Sequence, residues 1–151
     1  MRLYLVQHGL AKSEAEDPER PLTERGAEEV RRVASHAVQG GGLRVPRVLH
    51  SGKTRARQTA EIWAGCLGVA VEPAKDLAPN DNPTAWAERL RSSKDDLLLV
   101  GHLPHLARLA GLLLTGRPDL AVVQFRPGGL VGLDRAEAGW AVSLVLPPEA
   151  S

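Results

Sequence analysis

Two histidines in this chain occupy the same kind of position. His8 ends the apolar run Leu3-Tyr4-Leu5-Val6 and precedes Gly9, and His102 follows Leu97-Leu98-Leu99-Val100 and Gly101. A short apolar run closed by a turn residue reads as a buried strand, and open α/β sheets gather functional groups at strand carboxyl ends. An imidazole held there can serve as a nucleophile or can satisfy a loop carbonyl, and the tripeptide Gln7-His8-Gly9 does not separate the two. A third strand end leads into Ser51-Gly52-Lys53-Thr54-Arg55, where Arg55 falls at the start of a helical pattern.

Taken together, these segments suit phosphoryl chemistry. A phosphoryl group in transfer carries its charge on equatorial oxygens, so its site needs fixed cationic donors and an in-line nucleophile. Arg55 offers a planar fork, and the free N–H groups at the start of its helix add anion affinity. In such a site His8 attacks through one ring nitrogen while a carbonyl holds the other, and His102 donates to a non-bridging oxygen. Taken singly, His102 also fits a loop-capping role before Pro104, and Arg55 a solvated helix position.

The elements that would position these groups follow from periodicity. Strands are expected at Arg2 to Gln7, Val45 to His50, Val69 to Glu72 and Leu97 to Val100. Thr23 is a good N-cap for a helix whose apolar positions Ala27, Val30, Val33, Ala34, Ala37 and Val38 recur at helical spacing until Gly40-Gly41-Gly42. Further helices are expected over Thr54 to Leu67, with Ala56, Thr59, Ala60, Trp63 and Ala64 on one side, over Thr84 to Leu90, and over His105 to Leu114. The loop Leu77 to Pro83 is dense in turn residues, Asp81 among them. Three strands are expected to finish the chain, at Ala121 to Phe125, Gly129 to Leu133 and Trp140 to Leu146, with a turn over Arg135 to Gly139. This order predicts an α/β three-layer sandwich: a mostly parallel central sheet, helices on both faces and an antiparallel element near the end.

Bulk properties narrow the options. The 151 residues fit a single domain, 1–151, with a core large enough to need no metal or disulfide staple. Lys plus Arg number 19 against 18 Asp plus Glu, a near balance that argues against a broad nucleic-acid surface. The lone Cys66 fits a reducing compartment, and no apolar run approaches a membrane span or a signal peptide, so a cytoplasmic location and no membrane partner are expected. No clustered metal-ligand pattern appears among the histidines and carboxylates.

In this order the motifs resemble the histidine phosphatase superfamily, and within it the SixA-type phosphohistidine phosphatases. That family's pattern is Arg-His-Gly at a strand end, Pro-Leu-Thr-x-x-Gly, Ser-Pro-x-x-Arg-Ala-x-Gln-Thr-Ala, and Gly-His or Ser-His after a late strand. The counterparts here are Gln7-His8-Gly9, Pro21-Leu22-Thr23-Glu24-Arg25-Gly26, Ser51 to Ala60, and Gly101-His102. The resemblance implies a phosphoglycerate-mutase-like fold and a phosphatase needing neither metal nor cofactor. It implies catalytic roles for His8 as phosphoryl acceptor and His102 as stabiliser, and phosphate binding by Gln7, Gly9, Arg55 and Arg20. Arg20 also fits an exposed loop position. The implied partner is a phosphorylated protein, such as a histidine phosphotransfer domain, or a small phosphorylated metabolite.

The sequence departs from the pattern at two places. Gln7 stands where the family has Arg, so one charge and one bidentate fork are missing, and Gly52 replaces the usual Pro. Lys12 restores the charge from another direction or is simply exposed. Gln7 leaves open a phospho-ligand-binding or regulatory protein with impaired turnover, and a small-molecule phosphomonoesterase is the third reading. Asp81 is the one nearby carboxylate for acid chemistry, with turn stabilisation as its alternative, and His105 either lines the cleft or packs inside.

Overall fold

The computed structural model describes residues 1–151. Its strands are β1 (Arg2–Gln7), β2 (Arg47–His50), β3 (Ala70–Pro73), β4 (Leu97–Gly101), β5 (Leu130–Ala136) and β6 (Gly139–Leu146). Its helices are α1 (Glu24–Ser35), α2 (Thr54–Leu67), α3 (Thr84–Ser92) and α4 (His105–Thr115). The six strands form one sheet in the order β3-β2-β4-β1-β5-β6. Pairings among β3, β2, β4 and β1 are parallel, whereas β5 runs antiparallel to β1 and β6 to β5. The architecture is the α/β sandwich that the element order predicts.

Both faces of the sheet are covered, which is why β1 and β4 read as unbroken apolar runs. Along β1 the side chains alternate: Tyr4 and Val6 join a core with Val30, Val33, Ala60 and Trp63, while Leu3 and Leu5 join a second core with Trp86, Leu90, Leu106 and Leu109. Helices α1 and α2 therefore close one face, and α3 and α4 the other. No helix is long and apolar enough to cross a membrane.

Local chemistry explains the well-placed boundaries. Thr23 caps α1 by accepting the Gly26 N–H at 2.9 Å, and Gly68 ends α2 in the left-handed conformation at φ 69°. Regular α1 stops at Ser35 and is followed by a π-helical turn over His36–Gly40, so the apolar stripe runs on through Ala37 and Val38 in a wider coil.

Three expectations need correction. Ala121 to Phe125 is not a strand: the sheet consists of β3-β2-β4-β1-β5-β6, and residues 121–125 lie outside it as irregular chain. Its apolar character instead serves packing, with Phe125 buried in the second core and Val123 against it. Val45 and Pro46 stay outside β2, since proline has no N–H to give to a ladder. The hairpin expected to turn over Arg135 to Gly139 is tighter, because β5 pairs with β6 as far as Ala136 opposite Gly139. Of the two places open to His105, the structure shows the packed one, since the ring is fully buried.

Candidate functional site

The sheet order sets three strand ends side by side. β4 lies between β2 and β1, with Gln7 in register with Gly101 and His50 with Val100. The residues that follow, Ser51, His102 and His8, therefore meet at one edge. The His8 backbone N–H donates to the Gly101 carbonyl at 3.0 Å, extending the β1–β4 ladder one step into the site.

His8 and His102 face each other with ring centroids 5.1 Å apart and planes tilted by 51°. The His8 Nδ1 lies 2.8 Å from the Gly9 carbonyl oxygen. A carbonyl can only accept, so Nδ1 carries the proton and the lone pair of neutral His8 sits on Nε2. Burial lowers the His8 pKa from 6.5 to about 4, against the Gly9 hydrogen bond, and the charges of Arg55 and Arg20 add to the depression. At neutral pH His8 is thus an uncharged base beside two guanidinium groups.

His102, only 1% exposed, is pushed to about 3, first by burial and then by His8, Arg55, Lys53 and His105. Its Nε2 is 2.6 Å from the Ser51 hydroxyl, and its Nδ1 has no partner. The same hydroxyl accepts the Lys53 N–H at 3.3 Å, so Ser51 ties the second imidazole to the loop that opens α2.

Arg55 stands in the first turn of α2, half-buried, its Nε without a partner. Burial and the Arg20 charge lower its pKa, and a bound anion would offset both effects. Arg20 reaches the site from the loop before Pro21. Its backbone adopts φ 50°, an unusual conformation for a non-glycine residue, and its Nε donates to the Lys12 carbonyl at 3.1 Å. Gln7 ends β1 with a buried Oε1 that has no partner. Lys12 is exposed, and only its backbone takes part.

Two supporting residues escaped the sequence reading. Thr59, on α2, accepts the Gly9 N–H at 3.0 Å and donates to the Arg55 carbonyl at 2.8 Å, which couples the His8 loop to the helix bearing Arg55. Gln58 accepts the Leu22 N–H at 2.8 Å and holds the loop after Arg20. Both lie in the Gln58-Thr59-Ala60 stretch of the motif, but Thr59 also fitted the apolar helix face and gave no separate signal. Gly9 is required by close packing: a Cβ there would lie 2.8 Å from Val30 Cγ2 and 3.1 Å from the Gly26 carbonyl oxygen.

Other sequence candidates lie outside this cluster. The Asp81 carboxylate accepts the Ala78 N–H at 2.9 Å and stabilises its own turn. His50 accepts the Gly52 N–H at 3.0 Å, and His36 is exposed. Buried His105 has no partner for either ring nitrogen. No group of three or more His, Cys, Asp or Glu side chains is arranged to hold a metal ion. Chemically, the cluster offers a neutral imidazole lone pair, a second imidazole, the Arg55 guanidinium at a helix start and the Arg20 charge from a neighbouring loop, a setting for an oxyanion centred on phosphorus.

Comparison with known proteins gives a consistent picture. The sequence model of the histidine phosphatase superfamily (branch 1) matches residues 3–81. An uncharacterised protein of Picosynechococcus sp. is 37% identical over 141 residues, covering 88% of this chain and 84% of that protein. The phosphohistidine phosphatase SixA of Escherichia coli K12 is 30% identical over 123 residues, covering 77% of this chain and 76% of SixA. A solved structure of the protein histidine phosphatase SixA complexed with tungstate superposes with a TM-score of 0.83 at 26% identity, covering 98% of this chain and 97% of that one.

Proposed function

The chain belongs to the histidine phosphatase superfamily, and from that membership we propose that it is a metal-independent phosphatase acting on phosphohistidine carried by a protein. The observation that carries this reading is the neutral His8 with its Nε2 lone pair free, 5.1 Å from His102 and beside Arg55 and Arg20. In the first step His8 Nε2 attacks phosphorus and the bond to the substrate imidazole nitrogen breaks, leaving the phosphoryl group on His8. In the second, water attacks the phosphorus, a proton passes to solvent, and the His8 lone pair returns as phosphate leaves. Arg55, Arg20, the Gly9 loop and the Gln7 amide hold the equatorial oxygens, and His102 turns to one of them the Nε2–H that Ser51 accepts in the free site. An imidazole leaves more readily than an alkoxide, in keeping with a site whose nearest acid candidate, Asp81, is engaged in a turn.

A second reading rests on Gln7. An amide in place of a guanidinium removes one charge from the phosphate cradle, which favours binding of phosphorylated ligands with little turnover. The two readings separate in one set of measurements: the protein, His8→Ala and Gln7→Arg are assayed against a phosphohistidine-bearing protein and an aryl phosphate. We expect turnover that His8→Ala abolishes and that Gln7→Arg raises by about 10²-fold, the usual weight of one transition-state donor. Folded protein that binds phosphate but turns over neither compound, with no gain from Gln7→Arg, would establish the binding role instead. Turnover of the aryl phosphate alone would assign a small phosphomonoester as substrate.

A further inference from the structure

An apolar groove borders the site on the His102 side. It begins at Leu103, one residue past His102, and runs along Ala107 of α4 to Val122, Val123 and Phe125. Leu103 is 40% exposed and Val122 48%. From Phe125 the chain continues to Gly128, whose N–H reaches the Gln7 and His8 carbonyl oxygens at 2.9 and 3.2 Å, so the far wall is tied to the same strand end. None of His8, Arg55 and Arg20 lines the groove. A phosphoryl group can therefore occupy the imidazole cluster while the groove remains free for whatever the phosphorylated residue is attached to.

The two stretches that wall the groove, residues 103–108 and 121–126, carry two arginines and no acid. Between Leu97 and Leu133 the only acidic residue is Asp119, and Arg117 holds it at 2.7 Å. Arg108 and Arg126, adjacent in sequence to the lining residues Ala107 and Phe125, are exposed and form no ion pair. An apolar trough whose walls belong to stretches bearing exposed arginines free of ion pairs complements an apolar side chain flanked by carboxylates.

We propose that this groove docks the protein bearing the phosphorylated residue, taking an apolar side chain of that protein between Leu103 and Val122 and setting its acidic neighbours against Arg108 and Arg126. The proposal rests on the phosphatase reading and adds the means by which a protein substrate is preferred to a small one.

The test compares two substrates with the same leaving group, a phosphorylated histidine phosphotransfer domain and free phosphohistidine. The variants are Leu103→Asp, Val122→Asp and Arg126→Glu, each checked for an unchanged melting temperature. The unmodified enzyme is expected to favour the domain, and each variant to lower kcat/KM for it about tenfold, mostly through KM, the effect of losing one good docking contact. Free phosphohistidine turnover should stay within about twofold, and the KM for the domain should rise with salt, less steeply in Arg126→Glu. If the enzyme hydrolyses free phosphohistidine as efficiently as the domain, or if the variants slow both substrates equally, the docking proposal is overturned and the phosphatase reading stands. If neither substrate is hydrolysed, the phosphatase reading fails and docking falls with it.

Discussion

At the scale of single residues, the site is organised by which nitrogen carries which proton. The Gly9 carbonyl gives His8 a protonated Nδ1, and burial keeps the ring neutral down to about pH 4. Ser51 plays a comparable part for His102 through its 2.6 Å contact to Nε2. Nδ1 of His102 is buried without a partner, and an orphaned N–H is costlier than an orphaned lone pair, so the proton belongs on Nε2, donated to Ser51. Replacing Ser51 with Ala should lower kcat about five- to tenfold, the value of one hydrogen bond, with little change in KM, and Ser51→Thr should restore it. Nitrogen chemical shifts of His102 provide the independent check; an Nδ1–H tautomer in the unmodified protein would contradict the assignment.

The elements supply rigidity to those residues, and α2 does most of this through one hydroxyl. Thr59 Oγ1 bridges the Gly9 N–H and the Arg55 carbonyl, so Thr59→Val leaves a buried donor unpaired without changing side-chain shape. A loss of about 1–3 kcal/mol in urea unfolding is expected, together with weaker phosphate binding as the Gly9 loop loosens. On α1, Thr23→Ala removes the cap on the Gly26 N–H and should cost about 1 kcal/mol, a fall of roughly 2–4 °C in Tm. The helix faces were legible because periodicity is local. The expected face of α2, Ala56, Thr59, Ala60, Trp63 and Ala64, is its buried set. Ala121 to Phe125 was misread because apolar residues in an extended run look alike whether they pair in a ladder or only pack against a core, and here they pack.

Across the whole molecule, the burial that shapes the site also makes stability depend on pH. An unfolded chain protonates its histidines as pH falls through 6.5, whereas folded His8 and His102 resist until about 4 and about 3. Between these limits the unfolded state binds more protons. Stability therefore falls as the pH drops from 6.5 towards 4, by up to about 1.4 kcal/mol per pH unit for each histidine, and these groups contribute no pH dependence above that window. Urea midpoints at pH 7, 5.5 and 4.5 should decline in step, with a shallower slope in His8→Gln; equal slopes in the two proteins would refute this account. The chain carries most of its strands, its helix caps and its ordered motif residues in short stretches, and these depend only on local sterics and hydrogen bonding, so they could be read directly along the chain. The partnership of Ser51 with His102, fifty-one positions apart, and the depressed pKa values of both histidines depend on strand order and burial. Those arise only when distant segments pair and exclude water, so the tertiary structure alone decided them.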